Sequence, residues 1–203
     1  TVMMSHHPEW YGTRMDGAGY QKAEDLLCYW LTYQVWDSRI DRLCEVVETR
    51  LRRQNKTWTI RTLDKSRWNE EVELIKRLYN KAWEKNWGFV PMTDAEMDFV
   101  AKELRPIVEP RIIYFLEVDG ETAAFGLALP DLNVILRHMD GRLSPLSILK
   151  ALLLRKSVRH LRLLMLGVLP EFRKRGLELL LYRQYQRHSR DVGMPEGDLS
   201  WIM

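Results

Sequence analysis

Cysteine is scarce in this chain: Cys28 and Cys44 are the only two among 203 residues. Two isolated cysteines support neither a disulfide framework nor a zinc site, and they fit a reducing compartment, so the expected location is cytoplasmic. Long apolar runs are also missing. No stretch reaches the length of a membrane span, and no basic-then-apolar leader opens the chain, so no membrane partner is expected. Metal ligands are few. His6 and His7 stand side by side with no third ligand near them, and no metal is expected. The sequon Asn55-Lys56-Thr57 has no other sign of secretion beside it and reads as chance. No internal repeat or low-complexity segment is present.

What the chain does have is an ordinary globular mix, 46% hydrophobic and 29% charged, with eight tryptophans to supply large buried surfaces. Net charge is +3, but it is unevenly spread. From Arg137 to Arg190 thirteen Lys/Arg face three acids, Asp140, Glu171 and Glu178. Such a bias suggests an anionic partner.

Pro8-Glu-Trp-Tyr11 leads into a short helical stretch that Gly17 and Gly19 would end, and 23–33 reads as a strand apolar on both faces. Residues 37–54 follow as a helix with Ile40, Leu43, Val46, Val47 and Leu51 on one stripe. After the polar connector 52–56 the order becomes regular. It runs as a strand at 57–63, a helix at 69–85, an aromatic loop at 86–91, and a helix capped by Thr93 with Glu96 as a capping box. Strands at 111–118 and 122–129 follow, joined by the Asp119-Gly120 hairpin turn. Helical pieces at 132–139 and 145–156 come next, the second with an apolar stripe through Leu146, Leu149 and Leu153. A strand at 161–169, a helix at 173–190 and a strand at 198–203 complete the chain.

Residues 166–178 are the most informative. An apolar strand stops at Pro170. A basic turn, Arg173-Lys174-Arg175-Gly176, opens a helix with Leu177, Leu180, Leu181 and Tyr185 on one face. A strand that ends in a glycine-containing basic turn presents free N–H groups and a positive dipole end to an anion, as a pyrophosphate cradle requires. The run Val168-Leu-Pro170-Glu-Phe-Arg173-Lys-Arg-Gly176-Leu-Glu178 resembles the acetyl-coenzyme A signature of the GNAT N-acetyltransferase superfamily. The departure is Glu178, where that family carries Gly or Ala. A carboxylate there opposes a phosphate unless it points away, but it also suits the first turn of a helix.

The order of elements from residue 57 on is similar to the GNAT core. The resemblance implies an α/β fold with a mixed sheet and a helical insertion between the family's third and fourth strands. Segments 86–91, 129–133 and 199–202 resemble a bacterial group that joins two such domains. On that basis residues 1–35 are expected to be the C-terminal remnant of a preceding domain, 36–56 a helical linker, and 57–203 a GNAT domain lacking its last helix and strands. The start at Thr1 and the stop inside a strand suggest a fragment. Pairing of the 1–35 block with the final strand, within one chain or by exchange in a homodimer, would bury both.

The resemblance further implies acetyl-coenzyme A as co-substrate and an amine acceptor of unknown identity. It places the cofactor against Leu166, Gly167, Val168 and Leu169 of the strand, and Arg173, Lys174, Arg175, Gly176, Leu177 and Glu178 of the turn. It places the acceptor near Trp87, Phe89, Pro91, Asp131 and Asn133. Glu117 and Asp131 are candidate bases, and His138 is a third. Each also has a structural reading: a solvated strand end, a helix cap and an exposed helical histidine. Two other functions stay open. One is a coenzyme A-binding or scaffold protein without chemistry. The other is a nucleic-acid module using 155–175, disfavoured by the absence of a recognised motif.

Overall fold

The computed structural model describes residues 7–32, 34–86, 88–139, 144–154 and 157–202. Six strands form one sheet in the order β1-β6-β5-β4-β3-β2. They are β1 (Leu27–Thr32), β2 (Trp58–Thr62), β3 (Ile113–Val118), β4 (Glu121–Pro130), β5 (His160–Val168) and β6 (Glu196–Ile202). Only β5 and β6 run parallel; every other neighbouring pair is antiparallel. The helices are α1 (Trp10–Gly17), α2 (Ser38–Arg53), α3 (Trp68–Trp83), α4 (Asp94–Leu104), α5 (Asn133–Leu136), α6 (Pro145–Leu154) and α7 (Leu177–Asp191). The mixed α/β class is as expected, and so is the helical insertion, α5 and α6, between β4 and β5.

Local chemistry explains most boundaries. Thr93 and Glu96 form the full capping box at the start of α4. Asp119 and Gly120 both take positive φ at the β3–β4 turn, where Asp119 also accepts from the Thr57 N–H at 2.8 Å. β3 starts at Ile113 rather than 111, because Glu109 caps a single 3-10 turn that begins at Pro110. α7 starts at Leu177 rather than 173, because Lys174 and Gly176 are both left-handed and cannot continue a helix.

The two faces of the sheet are covered differently. Gly126 of β4 looks toward α7, since a Cβ there would lie 2.8 Å from the Tyr185 ring. Gly167 of β5 looks the other way, toward Ala82 and Trp83 of α3. The core lies mainly in β3 and β4, with Phe115, Leu116, Ala123, Ala124 and Phe125 wholly inaccessible. α7 adds Leu177, Leu180 and Leu181, each worth about 1.5–3 kcal/mol when fully buried. The Tyr185 hydroxyl reaches the Ile112 carbonyl at 3.1 Å, and burial pushes its pKa well up.

The segment expected as a linker is α2. It packs on α7, burying Cys44, Val47 and Leu51, with Cys44 Sγ 3.3 Å from the Leu179 carbonyl and an Arg183–Glu48 ion pair. The strand expected at 23–33 is the shorter β1, which pairs with β6 within the chain. Its residues are largely exposed rather than covered, as its place at the edge of the sheet allows.

Candidate functional site

β5 and β6 part company in the middle of the sheet. Their parallel ladder runs from His160↔Glu196 to Leu163↔Leu199 and stops. On the other side of β5, Leu127 faces Met165 and Ala128 faces Leu163, so Leu164 is one residue too many. A bulge of this kind bends its strand and increases the local twist. From Leu164 to Val168, β5 keeps β4 as a neighbour and turns an unpaired edge toward the gap. Leu166, Gly167 and Val168 lie on that edge. Leu169 follows it, with its N–H bonded to the Ala123 carbonyl at 3.0 Å.

The turn sits at the top of the gap. Pro170–Phe172 make one 3-10 turn, Lys174 and Gly176 are left-handed at φ 61° and 78°, and Leu177 begins α7. No side chain caps that helix end. Leu179 N–H already bonds the Gly176 carbonyl at 3.1 Å, so the groups this fifteen-residue helix offers to an anion are the N–H groups that precede it in the turn. Gly176 is needed twice over, since its φ is left-handed and a Cβ would lie 2.9 Å from Val47 Cγ2 of α2. Gly176→Val is therefore expected to weaken coenzyme A binding far more than Lys174→Ala, measured by calorimetry. Equal losses would mean a plain surface turn.

The two arginines of the turn do different work. Arg173 is half-buried; its Nε donates to the Val168 carbonyl at 3.2 Å and its Nη2 to the Ala82 carbonyl at 2.7 Å. It ties the end of β5 to the end of α3. Arg175 donates to the Glu171 carbonyl at 2.9 Å and lies over the Phe172 ring. Beside it, Arg50 and Lys56 help line a recess with Val47, Leu51 and Gln54. Glu178 occupies the first turn of α7 and is half-buried.

The acceptor-side residues divide. Phe89 stands edge-on to Tyr79, which stacks on Trp83, and Trp83 lies over Gly167. Phe89 thus belongs to an aromatic cluster above the gap, whereas Pro91 is exposed. Trp87 lies outside the described residues. Asp131 accepts from the Asn133 N–H at 3.0 Å and from Asn133 Nδ2 at 2.8 Å, one residue before Leu132, the N-cap of α5. Both line a narrow recess with Arg162 and Leu164. Glu117 is two strands away from β5, bound at 2.7 Å to Arg61, which also holds Glu71. His138 bonds the Val134 carbonyl at 2.8 Å on the same short helix. None of the three stands at the gap as an unengaged base.

A polar group absent from the sequence reading lies at the base of the gap. Arg162, only 6% exposed, is 3.6 Å from the Asp198 carboxylate and 3.3 Å from Ser200 Oγ. Cys28 Sγ donates to Asp198 at 2.9 Å, and this bond pushes the thiol pKa up, keeping it protonated. His160 and Glu196 pair at 3.1 Å two residues earlier on the same strands. The alternation Glu196, Asp198, Ser200 was the available signal: a period-two polar set marks one face of a strand as polar. The opposite face of the same strands carries an apolar cavity of about 320 Å³, lined by Leu161, Leu163 and Leu199 of the sheet, Tyr182 of α7, and Trp36 and Ile40 before and within α2. Burial raises the pKa of Tyr182, so the wall it forms is uncharged at neutral pH.

An unpaired strand edge beginning at a bulge, one parallel neighbour, and a glycine turn opening the next helix together define the architecture. The chain has the GNAT fold. The solved GCN5-related N-acetyltransferase from Sphaerobacter thermophilus is similar to it with a TM-score of 0.53 and 16% identity, over 93% of this chain and 45% of that one. The C-terminal domain of a putative lysylphosphatidylglycerol synthetase from Agrobacterium fabrum superposes with a TM-score of 0.52 and 10% identity, covering 96% of this chain and 52% of that one. In sequence, the bacterial ceramide synthase of Caulobacter vibrioides is 33% identical over the whole chain and 53% of its own length. The chain spans about half the length of the curated relatives it matches. No family model matches it. Among the described residues, no cluster of His, Cys, Asp and Glu could hold a metal ion, and no helix is long and apolar enough to cross a membrane.

Proposed function

We propose that this chain binds a coenzyme A thioester along the open edge of β5 and transfers its acyl group to an amine. The observation that carries the reading is the continuity of the gap. It runs from the uncapped N-terminus of α7 at its top to the last ladder pair, Leu163 and Leu199, at its base. Five residues of strand span about 16 Å, room for an extended pantetheine arm. In this reading the N–H groups of the turn hold the pyrophosphate, with Arg175 as the nearer cation. The unpaired main chain of residues 164–168 holds the arm, and one of its N–H groups faces the thioester oxygen as negative charge develops there. His160, backed by Glu196, stands on the polar side of the base, an imidazole–carboxylate pairing suited to taking a proton from an amine.

The acyl group in this reading is longer than acetyl. An acetyl group needs almost no room, whereas the cavity of about 320 Å³ beside Leu163 and Leu199 has an apolar wall. The sequence relative carries the name of a ceramide synthase, an enzyme that makes a lipid, which agrees with such a donor. The test is a thermal-shift series with free coenzyme A and its acetyl, octanoyl and palmitoyl thioesters. Each methylene that enters the cavity adds up to about 0.8 kcal/mol. At about 2–4 °C per kcal/mol for a chain of this size, the shift is expected to climb steeply with chain length. A flat series, or one that peaks at acetyl, would remove the cavity from the donor site. A second reading, a scaffold without chemistry, is favoured by Glu178 in the first turn of α7, whose carboxylate opposes a phosphate held there. Release of free thiol in the presence of amines separates the two.

A further inference from the structure

We infer that α6 is an interfacial helix that seats this protein on an anionic lipid bilayer. The inference goes beyond acyl transfer and stands without it. α6 has the sequence Pro-Leu-Ser-Ile-Leu-Lys-Ala-Leu-Leu-Leu, and none of its ten residues is buried. Ala151 and Leu154 turn toward the small cluster of Ile135, Met139 and Val158. At 100° per residue, the opposite side carries Leu146, Ile148, Leu149, Leu152 and Leu153 as one continuous stripe. All five are exposed, Leu146 at 76% and Leu153 at 73%. The periodicity that predicts an amphipathic helix is therefore real, but its apolar side points away from the protein.

Charge decides what covers that stripe. From Arg137 to His160 the sequence holds six Lys/Arg and one acid, Asp140. Of these cations Arg137, Lys150 and Arg159 are described, and all three are exposed. The stripe has Lys150 at its edge and basic residues on both sides of it in the sequence, which suits a helix resting on an anionic headgroup region, where each cation near the surface strengthens binding several-fold. A second protein copy is a poor fit by area. Ten helical residues span about 15 Å on a helix about 10 Å wide, a face of about 150 Å², far short of the ~800 Å² per partner of a stable interface. A bilayer asks for no such area and no shape match. The expectation of no membrane partner rested on the lack of a spanning run, and an interfacial helix needs none.

The test is co-sedimentation of the chain with vesicles of phosphatidylcholine alone and of phosphatidylcholine mixed with phosphatidylglycerol. Wild type is expected to bind the anionic vesicles at least about tenfold more strongly, and to lose that preference as salt is raised. Leu149→Asp with Leu153→Asp is expected to cut binding by more than about tenfold. Lys150→Glu with Arg159→Glu is expected to lower binding to the anionic vesicles only. All four positions are exposed, so unchanged melting temperatures should accompany these losses. Phe99→Asp, at an exposed apolar position of α4, serves as control and should bind like wild type. The proposal is overturned by wild type that stays in the supernatant with anionic vesicles. It is equally overturned by an aspartate variant that binds undiminished, by a Phe99 variant that loses as much, or by leucine variants whose only effect is to abolish self-association without lipid.

Discussion

Gly167→Val is expected to lower the melting temperature by about 6–12 °C, the equivalent of about 3 kcal/mol for an overpacked site in a chain of this length. Coenzyme A binding should disappear with it. A Cβ at Gly167 would sit 2.7 Å from Trp83 Cζ3 and 2.9 Å from Ala82 Cβ. Neither neighbour has room to yield. Trp83 is packed between Tyr79 and Phe125, and Ala82 is buried with its carbonyl held by Arg173. A larger side chain must push the end of α3 off the sheet and pull the turn with it. Gly12→Ala is the control, because nothing lies within 4 Å of a Cβ there, and in helix α1 it should stabilise by up to about 1 kcal/mol rather than destabilise. A Gly167→Val protein that melts like wild type would show that α3 does not seat on β5.

Arg173→Glu with Arg175→Glu is expected to reduce coenzyme A affinity by far more than tenfold, read by calorimetry. Two causes add. Charge next to the phosphate is reversed, and the clamp between the Val168 and Ala82 carbonyls is lost, leaving two partly buried acceptors unpaired at about 1–3 kcal/mol each. The single variants separate the causes. Arg175→Ala should weaken binding with little effect on melting. Arg173→Ala should lower both. Arg173→Lys should not restore it, because one ammonium group cannot span two carbonyls as a planar guanidinium does. Undiminished affinity in a folded double variant would remove the turn from the binding site.

Much of this was legible in the chain itself, wherever a local rule decides. Thr93 and Glu96 announced the start of α4, Asp119-Gly120 announced the hairpin, and Pro170 with Arg173-x-x-Gly176 announced the turn. What was not legible depends on distant partners. No glycine or charge marks the bulge at Leu164, which falls one residue past the last pair of β5 with β6, Leu163 and Leu199. The capture of Arg173 by Ala82 joins residues 91 apart. The polar base of the gap takes Cys28, Arg162, Asp198 and Ser200 from three strands. The stripe on α6 shows the opposite limit, since a period of 3.6 states that a helix has two unlike sides and does not state which one faces inward.

The contact between Val47 and Gly176 changes where the working unit of this protein begins. The Arg-x-x-Gly motif lies wholly in the part of the chain that follows the family's core order, yet one wall of its turn comes from α2, more than a hundred residues upstream. Anyone transplanting the motif, or trimming the chain at residue 57, would carry over every residue of the signature and leave Gly176 facing water. A portable piece has to include α2, which begins at Ser38. In recombination between related genes, exchange between α2 and β2 would be constrained although no signature residue lies there, because the glycine and the valine have to travel together.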